Sequence, residues 1–467
     1  MKKMIKTGMS GKKIVSKTNQ LKTLVSLALV IVLVLSTTAC QNKEDTADTK
    51  DEGTISNEIT TDLPEASRDE SATSESSAVG KSDEDTSYMD TTDSMDAAEA
   101  VSTSDSVSET TYSDTTQPEI RPEPQYGQLT AGEWNDNENF DYFKNVINNN
   151  DWYDMQAHWG FTNWERYEIT VMNEEDRVIS GATVIFYDEQ GQVYYQIMTD
   201  NKGVAYAFPY INQEEDIQNT VNLKVEYNGE TYDFGDASDI SGDNQYKLVI
   251  PQNATRNSDV DIMFVIDTTG SMADELAYLK KEIQNVVTEV QNQNANNLNI
   301  RLSINYYRDE TDEYVVRSYP FTTDIDAVVE QIGNQWSDGG GDYEEAVETA
   351  LMDGITGHNW NVDAGSKLLF LVLDAPPHHN DNTLTTLEQI VSLTSEMGIK
   401  IIPVASSGVD KETEFLLRFL SLTTGGTYVF LTDDSGIGGS HLEPTIGDYQ
   451  VEYLNDLLVR LINGYIQ

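Results

Sequence analysis

The run Leu368-Leu369-Phe370-Leu371-Val372-Leu373 limits the folding of this chain more than any other segment. Successive side chains of a strand point to opposite faces, so a strand apolar at every position must be covered on both. Helices packed on either side of a mostly parallel sheet provide that cover. The surrounding sequence agrees. Strands are expected over Asp261–Asp267, Asn299–Tyr307, Glu313–Pro320, Lys367–Asp374, Ile399–Ala405 and Gly426–Leu431, with helical patterns between most of them. Leu276, Leu279, Ile283, Val286 and Val290 recur at steps of three and four, the stripe of an amphipathic helix. Val451, Leu454, Leu457, Leu458, Leu461 and Ile462 form a second stripe near the C-terminus. Residues 255–467 are therefore expected to form an α/β domain with a doubly wound, mostly parallel sheet. Ligands of such sheets bind outside the carboxyl ends of the strands.

Residues 161–252 follow a different rule. Tyr167, Ile169 and Val171 alternate with polar residues, as do Val193, Tyr195 and Ile197, and turn residues separate the runs. Short alternating strands at this spacing predict a small antiparallel β-sandwich. Gly181-Ala182-Thr183-Val184 followed by Thr199-Asp200-Asn201-Lys202-Gly203 resembles immunoglobulin-like, carboxypeptidase-regulatory modules, in which that turn is structural. Ahead of it, 128–160 gathers Trp134, Phe140, Tyr142, Phe143, Trp152, Tyr153 and Trp159 and reads as an aromatic-rich connecting segment packed on a neighbouring domain. The run Asn135-Asp136-Asn137-Glu138-Asn139 lacks the full ligand spacing of a calcium loop and reads as a polar turn.

Residues 40–127 are dominated by Ser, Thr, Asp and Glu. Such a segment cannot bury enough apolar surface to offset the entropy of ordering, and reads as a disordered acidic linker or stalk. The formal net charge of the chain is −51, which opposes binding to nucleic acid. The chain has one cysteine, so an internal disulfide is excluded. That residue, Cys40, follows a lysine-rich stretch, the apolar run Leu24–Leu35 and the small residues Ser36-Thr37-Thr38-Ala39. The pattern of 1–39 resembles a bacterial lipoprotein signal peptide, with Thr37 where the family prefers an aliphatic residue. The resemblance implies lipidation of Cys40 and a cell-membrane anchor on the extracytoplasmic face. The apolar run is shorter than the roughly 20 residues of a spanning helix.

The richest chemistry lies at the end of the first expected strand of the α/β domain. Asp267, Thr269 and Ser271 place three hard oxygen donors on one tight loop, the ligand type of Mg²⁺. Asp374 ends the most apolar strand, and residues 337–346, Ser-Asp-Gly-Gly-Gly-Asp-Tyr-Glu-Glu-Ala, form a glycine-rich loop entering a helix, so three loops can meet at one sheet edge. This set resembles the metal-ion-dependent adhesion site (MIDAS) of von Willebrand factor type A domains. Thr269 stands where serine is usual, and Asp342 where many members carry threonine. The resemblance extends over 255–467 and implies metal ligation by Asp267, Thr269, Ser271, Asp342 and Asp374. Gly-Gly-Asp, Asp-Ala-Pro-Pro-His and Tyr307-Arg308-Asp309 are shared with a subset of that family, and Asp309 is expected to support the ligands from behind. Mg²⁺ is the expected cation, with Mn²⁺ or Ca²⁺ as alternatives.

Other chemistries find less support. Ser271 has no evident general base and does not sit in a nucleophile elbow. The glycine run lacks the lysine of a phosphate-binding loop. No cysteine or helix-borne histidine pair joins His378, His379 and His441 in a zinc pattern, and His378 reads as a loop-packing residue. The expectation is a non-enzymatic surface module that recognises an extracellular or envelope protein through a divalent cation. The alternative is an envelope scaffold whose metal is structural or absent.

Overall fold

The structure is a computed structural model that describes residues 9–10, 12–14, 123–211, 221–237, 244–255, 257–295 and 297–466. Cys40, the Leu24–Leu35 run and the acidic segment as far as 122 lie outside the described residues. No helix among the described residues is long and apolar enough to cross a membrane. Two short strands, β1 (Met9–Ser10) and β2 (Lys12–Ile14), are followed by β3 (Thr130–Trp134), α1 (Phe140–Val146) and α2 (Asn150–Trp159).

The sandwich comprises β4 (Tyr167–Asn173), β5 (Thr183–Tyr187), β6 (Val193–Met198), β7 (Val204–Ala207), β8 (Asn222–Tyr227), β9 (Glu230–Asp236) and β10 (Gln245–Ile250). One sheet has the order β1-β10-β4-β7 and the other β2-β9-β8-β5-β6. Inward residues alternate as the sequence pattern requires: Tyr167, Ile169 and Val171 are buried in β4, and Leu223, Val225 and Tyr227 in β8. Asn228-Gly229, both at positive φ, close the β8–β9 hairpin, the backbone shape that two-residue hairpin turns require. The pairing of β10 with β4 is parallel, a local exception to the antiparallel expectation.

The α/β part contains β11 (Asp259–Asp267), α3 (Ala273–Asn294), β12 (Asn299–Tyr307), β13 (Val316–Arg317), α4 (Ile325–Gly333), α5 (Val347–Thr356), β14 (Ser366–Leu373), α6 (Asp381–Met397), β15 (Ile399–Ala405), α7 (Lys411–Thr424), β16 (Tyr428–Leu431), β17 (Glu452–Tyr453) and α8 (Leu454–Ile466). Among the described residues its sheet has the order β13-β12-β11-β14-β15-β16-β3-β17. The strands β12, β11, β14, β15 and β16 are parallel. Helices cover both faces, as the apolar strand β14 demands. Leu368, Phe370 and Val372 enter one core layer, and Leu369, Leu371 and Leu373 the other. The expected strand Glu313–Pro320 shrinks to two residues because it meets only the end of β12, at Tyr306 and Tyr307. Val451 lies before α8 and is exposed, so the C-terminal stripe begins at Leu454.

Residues 128–160 do more than connect. Strand β3 pairs antiparallel with β16 and β17 and lengthens the main sheet. Phe143, Trp152 and Trp159 join the core layer beneath α6 and α7. The polar turn is anchored by Asp136, which receives Nε and Nη2 of buried Arg418 at 2.9 and 2.6 Å and the Trp134 indole N–H at 3.0 Å. The sandwich packs against the opposite end of the α/β sheet from the strand carboxyl ends. There, Lys400 reaches Asp200 of the Thr199–Gly203 turn at 3.6 Å and donates to the Gly425 carbonyl at 3.1 Å. The Tyr195 hydroxyl donates to Ser395 at 3.3 Å.

Candidate metal centre

The parallel strands follow the order second, first, third, fourth, fifth in chain sequence, so the winding direction reverses between β11 and β14. In doubly wound sheets the crevice at that reversal, outside the strand carboxyl ends, is where ligands bind. Asp267 is the last residue of β11, and Asp374 immediately follows β14. The topology therefore sets these two carboxylates at the switch point.

The loop after β11 is shaped by Asp267 itself. Its Oδ1 accepts the backbone N–H of Thr269 at 2.8 Å and the Thr269 hydroxyl at 2.7 Å. Thr269 and Ser271 oxygens lie 3.1 Å apart. A single 3₁₀ turn, Gly270–Met272, then leads into α3. Asp267 Oδ2, Asp374 Oδ1 and Glu345 Oε2 are all buried with no hydrogen-bond partner among the described residues. These side chains belong to residues only 0, 3 and 2% exposed. Burial, followed by the neighbouring Asp374 charge, pushes the Asp267 pKa up to about 7. Burial also raises Asp374 to about 6, with Glu275 adding to the rise and a Ser271 hydrogen bond opposing it. Glu345 is pushed up to about 9 by burial and then by the charges of Asp267, Asp309 and Asp374. The Tyr307 hydroxyl, buried beside these acids, is held neutral by burial and by the Asp267 charge. Such an arrangement is costly without a compensating cation. Its oxygen-only donors, two carboxylates and two hydroxyls, suit Mg²⁺, which keeps further positions for water or an incoming oxygen.

The glycine-rich loop is clasped onto this edge from three sides. Gly270 N–H donates to the Gly339 carbonyl at 3.2 Å, and Asp338 N–H to Thr268 at 3.0 Å. Gly340 N–H donates to Asp312 at 2.8 Å. Gly340 has φ +75°, and a Cβ there would lie 3.0 Å from Glu345 Oε1 and 3.5 Å from the Thr269 Cβ, so the loop approaches this closely only with glycine. At its far end Glu345 N–H donates to Pro376, tying the loop to the Asp374-Ala-Pro-Pro-His segment.

Asp342 is exposed on this loop, and its carboxylate is grouped with Asp309 and His378. Asp309 is buried at the end of β12, and its Oδ1 lies 2.7 Å from His378 Nε2. His378 is thus engaged with a carboxylate rather than simply filling space. Its neighbour His379 donates to the His158 carbonyl at 2.9 Å and stacks on that ring. His441 bridges Glu275 at 2.8 Å and Asp433 at 2.8 Å. Exposed Trp336 and Tyr343 flank the glycine run.

Glu345 escaped the sequence reading. The run Asp342-Tyr343-Glu344-Glu345 shows two adjacent glutamates, and only the bridge to Pro377 and the turn into α5 select the one that faces inward.

A mostly parallel sheet in this strand order, with helices on both faces, defines a doubly wound α/β domain with oxygen donors gathered at its switch point. Comparison with known families matches residues 261–436 to a von Willebrand factor A domain. A segment of 124 residues is 32% identical to an ariadne-like RING finger protein of Acanthamoeba polyphaga mimivirus. The match covers 26% of this chain and 12% of that relative, so the chain spans a small part of the relative's length.

Proposed function

We propose that this protein is an interaction module that recognises a carboxylate of a protein partner through a divalent cation, Mg²⁺ by donor type. Asp267, Thr269, Ser271 and Asp374 would hold the ion, and the cation would supply a directional bond to the partner's oxygen. The reading rests above all on the two buried, unpartnered oxygens of Asp267 and Asp374 beside a pair of hydroxyls at the switch point. Von Willebrand factor A domains as a class serve in protein interaction and adhesion, which supports the same reading. We assign no catalytic step to the chain. The Cys40 pattern supports a lipid anchor that would hold the module outside the cytoplasm, on a stalk formed by the acidic segment.

The test is Mg²⁺ and Mn²⁺ titration calorimetry on the protein and on Asp267→Ala. Saturable one-site binding that the variant loses supports the reading, and equal heats from both proteins sink it. A scaffold role is the second reading. It draws on the depth to which β3, Arg418 and the sandwich are built into one body with the α/β domain. Under it, partner association would survive Asp267→Ala.

A further inference from the structure

Three groups outside the Asp267–Asp374 pair converge beside it. One ligand atom from each of Asp309, Asp342 and His378 lies within 4.8 Å of the other two. They come from separate segments: the end of β12, the glycine-rich loop and the loop after β14. Asp309 is buried, while Asp342 is exposed and His378 partly so, which leaves the cluster open to solvent on one side. A second observation points the same way. Glu345, three residues after Asp342, carries the buried, unpartnered Oε2, and its carboxylate feels the charges of Asp309 and Asp312 as well as those of Asp267 and Asp374. Glu345 thus lies between two groups of acids, and of these Asp309 is offset by its contact with His378.

We propose that Asp309, Asp342 and His378 form a second divalent-cation site, selective for ions of the Zn²⁺ class and separate from the oxygen-ligated ion. The imidazole decides the class, because nitrogen ligands suit Zn²⁺ and its transition-metal neighbours and suit Mg²⁺ poorly. Ligand atoms about 2.0–2.2 Å from a tetrahedral Zn²⁺ lie roughly 3.3–3.6 Å from one another. The 2.7 Å contact between His378 and Asp309 therefore needs to open by about 0.6–0.9 Å, while the wider separations, all within 4.8 Å, close, both within reach of side-chain adjustment. Without metal that contact holds the two ligands in place. Metal entry replaces the proton shared by them, so binding releases protons. Three protein ligands leave a fourth position for water or a partner's group. Asp342, which family resemblance would give to the first ion, belongs on this assignment to the second. The site does not depend on the proposed function, since it uses neither Asp267 nor Asp374.

The experiment is Zn²⁺ titration of the full chain in excess Mg²⁺. One Zn²⁺ per wild-type chain is expected. His378→Gln and Asp309→Asn should each weaken it by more than the ten- to hundredfold that loss of a mere supporting partner costs. His379→Gln, whose ring stacks on His158, should bind as wild type, and so should Asp267→Ala. Wild-type affinity in His378→Gln, or no Zn²⁺ binding by the wild type, overturns the proposal. Should Asp309→Asn fail to fold, Co²⁺ spectroscopy on the wild type needs no variant. Visible bands that Zn²⁺ bleaches and Mg²⁺ does not are expected, and their absence overturns it. Mg²⁺ binding lost in Asp267→Ala but kept in His378→Gln separates the two sites, so either can fail alone.

Discussion

Thr269 donates both its backbone N–H and its hydroxyl to the same oxygen of Asp267, Oδ1, and leaves Oδ2 buried with no partner. The carboxylate is therefore oriented by one oxygen and open at the other. Asp267→Asn keeps the shape and the acceptor while removing the charge. It is expected to fold, to melt no lower than the cation-free wild type, and to lose thermal stabilisation by Mg²⁺. In the wild type, Mg²⁺ at a hundredfold excess over its Kd should add about 2.7 kcal/mol. A melt of both proteins with and without Mg²⁺ checks this, and equal Mg²⁺ stabilisation of the two would refute it.

Glu345 gives a prediction of mixed sign. Its Oε2 is buried and unpartnered among other acids. Glu345→Gln removes a carboxyl that in the cation-free fold must either take up a proton or repel Asp267 and Asp374, so near neutral pH the cation-free protein should gain stability, by about 1–3 kcal/mol if the cost is that of an unsatisfied buried group. The same change lowers the negative potential at the switch point and should weaken Mg²⁺ binding. Denaturant melts and calorimetry read the two effects separately. A variant less stable than the wild type without cation would contradict the role assigned to Glu345.

The pH dependence follows from the same acids. Asp267 and Asp374 shift from an ordinary 3.8 to about 7 and about 6, and Glu345 from 4.5 to about 9. The folded, cation-free protein binds more protons than the unfolded chain, so stability falls as pH rises. The contribution is complete below about pH 4 and is lost progressively through about pH 6 to 9. His378 and His441 act in the same direction. Burial opposes their charged forms, but hydrogen bonds to Asp309, and to Glu275 and Asp433, hold both above the ordinary value. Cation-free protein should melt lower at about pH 8 than at about pH 5.5, and the gain from Mg²⁺ should be larger at the higher pH. Melts that rise with pH in the absence of cation would contradict this.

Arg418 and Asp136 are 282 residues apart in sequence and fully buried together. Arg418→Met leaves Asp136 with the Trp134 indole but no charged partner, takes Arg418 away from buried Glu414 as well, and should cost about 3–5 kcal/mol. Pairing that change with Asp136→Leu should recover much of the loss, because an apolar pair of similar volume often replaces a buried ion pair at little cost. Chemical denaturation of the two variants distinguishes a stability role from a role in partner recognition.

The α/β class was legible from local pattern alone. Strands β12 and β15 fall on their expected boundaries, β14 within one residue of its own, and the stripe from Leu276 to Val290 lies inside α3, because apolar runs and three-and-four spacing report burial directly. Asp267, Thr269, Ser271 and Asp374 were legible as oxygen donors near one sheet edge because each sits at a strand end or on the turn that follows it. Other features depended on residues far apart. Nothing in Thr130–Trp134 announces that it will join β16, since an edge strand is chosen by the partner it meets. Glu344 and Glu345 are indistinguishable as letters, and the turn into α5 decides which is buried. His378 reads as a loop residue until β12 delivers Asp309 beside it. The sequence by itself determined which segments are strands and helices, and which oxygens lie near strand ends, because periodicity and residue type are local properties. Only the tertiary structure decided which side chains share one edge, because strand order and loop closure bring together groups that no spacing rule connects.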